Sequence, residues 1–175
     1  MTNLLSIADL NPQSVEFILE RAELHKKGVA NVIKDMRLVT VFLEPSTRTK
    51  LSFQIAARTL GGQVFDFTPS TSSIAKGESL RDTVRTLKAL GTNVIVIRSS
   101  TTGSAAYVAK VLGLRTINAG DGTGEHPTQA LLDLFTIRQR FGRIRDIRIA
   151  IVGDILHSRV ARSNILLHKM LDNKV

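Results

Sequence analysis

LVTVFLEPSTRTKLSFQIAARTLGG, residues 38–62, is the stretch from which the fold can be read. Its apolar run from Leu38 to Glu44 predicts a strand, Pro45 to Thr49 a tight turn, and Thr49 to about Leu60 a helix stopped by Gly61 and Gly62. A strand that feeds a helix through three hydroxyls and one guanidinium has the make-up of a phosphate site, because the first amides of a helix have no intrahelical acceptor and point at whatever anion lies beyond them. Ser46, Thr47 and Thr49 add hydroxyl donors, and Arg48 adds a two-pronged one. Taken alone, the turn also fits an ordinary Ser/Thr N-cap behind a proline.

Outward from this unit the same alternation repeats. Asn11-Pro12 is a cap followed by a first-turn proline, and Val15, Ile18, Leu19 and Ala22 then share one helical face that ends at Gly28. Gln63 to Phe67 predicts a short strand, Thr68 to Gly77 a polar loop, Glu78 to Leu90 a helix, and Asn93 to Ile97 a buried strand ending on Arg98. Ser104 to Leu112 is a further helix, Arg115 to Asn118 a short strand, and Pro127 to Phe141 a helix closed by Gly142. Strands alternating with helices imply an α/β fold: a mostly parallel sheet with helices on both faces.

In such sheets ligands bind beyond the carboxyl ends of the strands. That rule gathers Ser46 to Thr49, Arg98 and the His126 region at one edge. Arg98 reads either as a solvated cation or as a second anion clamp. His126 reads either as a cap or as a neutral imidazole, kept so by the amides and dipole of the helix it precedes and able to donate one hydrogen bond. Gln129 can present an amide donor and acceptor to a substrate, or cap its own helix.

Composition bounds the reading. The 175 residues, 43% of them hydrophobic, suffice for one full core and the beginning of another. No apolar run approaches the roughly 18 residues of a membrane span, and the N-terminus lacks the basic start and cleavage site of a signal peptide, so the cytoplasm is the expected compartment. The absence of cysteine excludes disulfides and thiolate ligands or nucleophiles. A net charge of +9 invites a nucleic-acid reading, but the basic residues are dispersed and no aromatic platform accompanies them. A small anionic substrate is the better partner.

Residues 146–175 open a second unit. Arg148 to Val152 predicts a strand running into Gly153-Asp154, followed by a helix from about Ser158 to Asp172, like the first βα of a Rossmann-like domain. Without GxGxxG spacing the lone Gly153 does not make a dinucleotide site. The expected organisation is therefore a first domain over 1–145 and the start of a truncated second one over 146–175, since one strand and one helix cannot bury a core of their own.

Three motifs together carry a family resemblance: Phe42-Leu43-Glu44-Pro45-Ser46-Thr47-Arg48-Thr49, Lys76-Gly77-Glu78, and His126-Pro127-Thr128-Gln129-Ala130-Leu131-Leu132-Asp133. The chain resembles the aspartate/ornithine carbamoyltransferases over nearly its whole length, and Lys76 and Thr128 favour the aspartate carbamoyltransferase branch. The resemblance implies a carbamoyl-phosphate-binding domain, the start of an aspartate-binding one, and attack of the L-aspartate amine on carbamoyl phosphate in pyrimidine biosynthesis. It implies no metal, cofactor or covalent nucleophile.

By the same resemblance Ser46, Thr47, Arg48 and Thr49 would hold the phosphate, Arg98 and His126 the carbamoyl oxygen, and Gln129 the carbamoyl amine. Ser72 and Lys76 would reach into a neighbouring subunit, making a homotrimer with shared sites; regulatory or dihydroorotase partners stay open. Arg159 would meet the aspartate carboxylate, and Glu44 would pair with Arg159 across the domains in the closed state. Lys50, where the family usually has arginine, and His157, where it often has tyrosine, are departures. An inactive carbamoyl-phosphate-binding or scaffold subunit, and an ornithine-type enzyme, are the alternatives.

Overall fold

The computed structural model describes residues 3–29, 32–68, 72 and 77–175. A 3₁₀ turn at Ile7–Asp9 precedes helix α1 (Pro12–Lys26) and is followed by β1 (Arg37–Phe42), α2 (Thr47–Thr59), β2 (Gln63–Phe67), α3 (Leu80–Ala89) and β3 (Val94–Ser99). Helix α4 (Ser104–Leu112), β4 (Arg115–Asp121), α5 (Pro127–Phe141) and α6 (Arg159–Met170) complete the order. Asn11 caps α1 as expected, accepting from the Ser14 amide while the Ser14 hydroxyl accepts from the Asn11 amide. Gly113 and Gly142 close α4 and α5 in the left-handed conformation that a side chain would strain.

All four strands are parallel, in the order β2-β1-β3-β4. The two central strands are buried along nearly their whole length, polar Thr40 included, because each is covered on two faces. The chain leaves β1 toward one edge and β3 toward the other. Right-handed crossovers then put α2 on one face and α3 with α4 on the opposite one. Packing follows this division: Leu38, Phe42, Val94 and Val96 lie with Ala57 and Phe53 of α2, whereas Val39, Val41, Ile95 and Ile97 lie with Val84, Val108 and Leu112. The reversal of direction opens a crevice between the carboxyl ends of β1 and β3.

A third cluster lies away from the sheet: Val15 and Leu19 of α1, Ala130, Leu131 and Leu134 of α5, and Leu167 of α6 with Leu171 just beyond it, joined by Ile7, Leu10 and Ile144 from the turns beside them. Helix α6 thus packs its apolar face against α1 and α5.

The expected strand at Arg148 to Val152 does not form. Arg148 makes a single parallel bridge to Lys174, and Val152 is 94% exposed. A strand is defined by its neighbour, and among the described residues this segment pairs with Lys174 alone. Helix α2 starts at Thr47, two residues before the predicted start. Most of the loop expected between Thr68 and Gly77, Lys76 included, falls outside the described residues.

Candidate active site

Helix α2 begins at the carboxyl end of β1, and its N-cap, Ser46, makes no side-chain hydrogen bond to the helix. The first intrahelical bond is Lys50 N to Ser46 O at 3.1 Å, so the first-turn amides keep their donors for another acceptor. This decides against the simple capping reading of the turn. A cleft of about 830 Å³ opens at this point, lined by Ser46, Arg48, Thr49, Arg98, His126, Gln129, Asp133 and Arg159 among others.

Thr47 lines a neighbouring hollow with Lys50, Leu51 and Gln54, while Ser46 borders both that hollow and the cleft. Helical spacing is the reason: Thr49, Ser52, Phe53 and Ala56 form the stripe that faces the cleft, while Thr47, Lys50, Leu51 and Gln54 form the next one. Lys50 turns away with that stripe and pairs with Asp66 of β2 at 2.6 Å.

Arg98 shares parity with Val94 and Val96, which pack beneath α2, so its side chain emerges on the α2 face. It does not stand as a free clamp. Its Nη2 donates to Glu44 Oε1 at 2.6 Å, and Arg159 grips the same carboxylate with Nη2 to Oε1 at 2.7 Å and Nη1 to Oε2 at 3.2 Å. The expected Glu44 to Arg159 bridge is therefore present, with Arg98 as a third member that the sequence did not announce. The Arg159 hydrogen bonds, helped by those of Arg98 and opposed by burial, hold the Glu44 carboxyl below its ordinary range. Gly120, at φ +109°, leaves room for this arrangement, since a Cβ there would sit 2.9 Å from Arg159 Nε. Arg98 Nε, though buried, has no acceptor among the described residues.

His126 precedes α5 and is 5% exposed. Its amide donates to Ser163 Oγ at 2.9 Å, and its Nδ1 lies 3.3 Å from Thr128 Oγ1, which can donate to it and leave the ring proton on Nε2. Burial first, then the Arg98 and Arg159 charges, lower its pKa to about 4, so burial rather than the helix start is the main cause of its neutrality. The unfolded chain protonates this ring near 6.5 and the folded one near 4; the stability it contributes is complete above pH 6.5 and is lost as pH falls toward 4. Urea unfolding is expected to show a loss approaching about 3 kcal/mol over that window. His126→Gln should flatten the profile, and identical slopes for the two proteins would refute the assignment. His168, buried in α6, shifts in the same direction and remains as background.

Gln129 Nε2 donates to Asp133 Oδ1 at 3.0 Å, and Asn164 Nδ2 of α6 donates to Asp133 Oδ2 at 2.8 Å. Glu125 accepts from Ser6 Oγ, from the Ile7 amide at 2.9 Å and from Ser163 Oγ at 3.1 Å, tying the N-terminal turn, α6 and the His126 backbone together. Asp121 braces the same loop, accepting from the amides of Glu125 at 2.9 Å and Gly103 at 2.7 Å. Sequence reasoning missed these carboxylates because AGDGTGE reads as a polar loop until its distant donors are known. Ser72 is half-buried and does not line the cleft. His157 is exposed and pairs with Asp154 at 2.9 Å, beside a shallow hollow that includes Glu44 and Arg159.

A second cleft, about 600 Å³ and mainly apolar, lies at the amino ends of the strands between Met36, Leu38, Val94, Ile117 and α2. It holds none of the predicted groups and sits at the end of the sheet where parallel folds do not place chemistry. Among the described residues no helix is long and apolar enough to cross a membrane, and no cluster of three histidines or carboxylates could hold a metal ion.

A sequence model of the aspartate/ornithine carbamoyltransferase, carbamoyl-P binding domain matches residues 2–139. The aspartate carbamoyltransferase catalytic subunit of Moorella thermoacetica is 48% identical over 169 residues, 93% of this chain and 55% of the relative. That of Rhodococcus erythropolis is 47% identical, over 100% of this chain and 60% of the relative. Among solved structures, the Trypanosoma cruzi aspartate transcarbamoylase in complex with carbamoyl phosphate and aspartate superposes with a TM-score of 0.88 at 34% identity, over 95% of this chain and 53% of that one. The M. jannaschii catalytic subunit gives 0.86 at 40% identity, over 98% and 57%. The chain thus spans a little over half the length of the relatives it matches.

Proposed function

Because the chain belongs to the aspartate/ornithine carbamoyltransferase family, we propose that it carries the carbamoyl-phosphate half of an aspartate carbamoyltransferase site. The reaction is transfer of the carbamoyl group to the amine of L-aspartate, giving N-carbamoyl-L-aspartate and phosphate in pyrimidine biosynthesis. The observation that carries this reading is the convergence, in one cleft, of an uncapped helix start with Arg48, Arg98 and a neutral His126.

In this reading the phosphate lies on the first-turn amides of α2, the hydroxyls of Ser46 and Thr49, and Arg48. Amine attack forms a C–N bond and a tetrahedral centre; Arg98 and the His126 Nε2–H meet the oxygen on which charge develops. The C–O bond to phosphate then breaks, and phosphate leaves with the bonding electrons and takes the proton that the amine gives up. A neutral imidazole suits this role, since it donates a hydrogen bond without adding a third charge beside Arg98 and Arg159. Gln129 meets the carbamoyl amine and Arg159 the aspartate carboxylate.

The family resemblance further supports residues 1–145 as the carbamoyl-phosphate domain and 146–175 as the start of the aspartate domain. It also supports a cytoplasmic homotrimer in which Ser72 and Lys76 serve a neighbouring site. The test is a calorimetric titration of this chain with carbamoyl phosphate, beside a radiolabelled assay for carbamoyl-aspartate and a mass measurement of oligomeric state. Saturable binding is expected; a folded protein that binds no carbamoyl phosphate would overturn the reading.

A further inference from the structure

The amide of Gln129 is tethered at one end. Its Nε2 lies 3.0 Å from Asp133 Oδ1, and because a carboxylate accepts hydrogen bonds and does not donate them, nitrogen rather than oxygen must face Asp133. The orientation of this amide is therefore set by chemistry. Asp133 is itself held, since its other oxygen accepts from Asn164 Nδ2 at 2.8 Å, and Asn164 is anchored one turn back on the Val160 carbonyl of α6. Gln129 and Asp133 sit one helical turn apart on α5, and their side chains line the same cleft as Arg48, Arg98 and His126. With Nε2 drawn to Asp133, the carbonyl oxygen at the other branch of the amide is left as an acceptor for the cleft.

We propose that Asp133 is a positioning residue that fixes Gln129 as an acceptor and so makes the cleft select an acyl phosphate carrying an N–H donor on its carbonyl carbon. This rests on the carbamoyl-phosphate reading above and adds the origin of its selectivity. Carbamoyl phosphate carries an NH₂ group at that position, whereas acetyl phosphate carries a methyl group of similar size. An acceptor at Gln129 favours the first; a donor there would turn N–H toward N–H and discard the difference.

The experiment is a pair of titrations, with carbamoyl phosphate and with acetyl phosphate, read as a ratio of affinities, with inorganic phosphate as reference for the turn itself. The unaltered chain is expected to prefer carbamoyl phosphate by about tenfold. Asp133→Asn keeps the shape and the Asn164 partner, but it presents an NH₂ to Gln129, turns the amide over and should bring the ratio close to one, with inorganic phosphate gauging what the lost charge does to the turn itself. In Gln129→Glu with Asp133→Asn, the donor and acceptor exchange places. The amide introduced at position 133 then donates to the carboxylate introduced at position 129, an oxygen again faces the cleft, and the preference should return even though moving the negative charge to position 129 weakens the two ligands alike.

A ratio unchanged in Asp133→Asn, or absent in the double variant, would overturn the proposal. Should the single variant not fold, the double variant decides alone, because its complementary pair is restored. Failure of the unaltered chain to bind any of the three ligands would instead count against the carbamoyl-phosphate reading, and so is distinguishable.

Discussion

Arg48→Ala is expected to lower the affinity for carbamoyl phosphate by about two orders of magnitude while leaving the fold intact. The size follows from what remains. Helix-start amides and the dipole contribute about 0.3–1 kcal/mol each to holding an anion, and the hydroxyls of Ser46 and Thr49 about 1 kcal/mol each. A guanidinium that meets phosphate with two charge-assisted bonds contributes about 3 kcal/mol or more, which is roughly a hundredfold in dissociation constant. Arg48 lies on the exposed side of the first turn of α2, so its truncation should change stability by no more than about 0.5 kcal/mol. Arg48→Lys keeps the charge without the fork and should fall between the two. Calorimetry at one fixed salt concentration checks this series, and an Arg48→Ala protein that binds within threefold of the parent would show that the turn is not the phosphate site.

What the sequence revealed and what it hid divide along one physical line. Periodicity and punctuation are local, and the elements they govern were legible: α4 and α5 run over the predicted residues, and β1, β2, β3 and β4 lie where the apolar runs place them. The parallel sheet and its switch point follow from the order of those elements. Features that depend on a distant partner were not legible. Arg148 to Val152 has the composition of a strand, yet composition does not create a neighbour, and among the described residues the segment pairs only at Arg148. Arg98 was legible as a cation at the end of β3, but its engagement by Glu44 depends on two strand ends meeting across the sheet. Glu125, Asp133 and Ser163 acquire roles only through donors up to 119 residues away, as from Ser6 to Glu125. Thr47 parts from Thr49 for a smaller reason: α2 starts two residues early, so the two threonines fall on different helical stripes.

Glu44→Gln is expected to lower the unfolding midpoint by about 4–8 °C and to raise the concentration of L-aspartate needed by a complete enzyme. The Arg98 and Arg159 side chains are 14% exposed and the Glu44 side chain 28%, so the cluster is neither fully buried nor a surface pair. Removing one partner of a buried pair typically costs about 3–5 kcal/mol, because an uncompensated charge is left behind. Here the replacement amide can still accept from one guanidinium and solvent reaches this position, which reduces the expected loss to about 2 kcal/mol; at roughly 2–4 °C per kcal/mol for a chain of this size, the stated shift follows. The sign of the accompanying pH effect is fixed as well. Glu44 is held below its ordinary value of 4.5, so the bridge contributes above that pH and is lost as pH falls through the lowered value, and the Gln variant should lack this component. Phosphate binding should survive, since neutralising Glu44 frees Arg98 from a competing anion. Arg159→Met should cost less stability than Glu44→Gln, for it leaves Glu44 paired with Arg98 and strands no guanidinium. The order of these two variants is the decisive comparison: Arg159→Met as damaging as Glu44→Gln would mean that α6 is held by the packing of Arg159, and an unchanged midpoint in each would reduce the bridge to a surface ion pair of negligible worth.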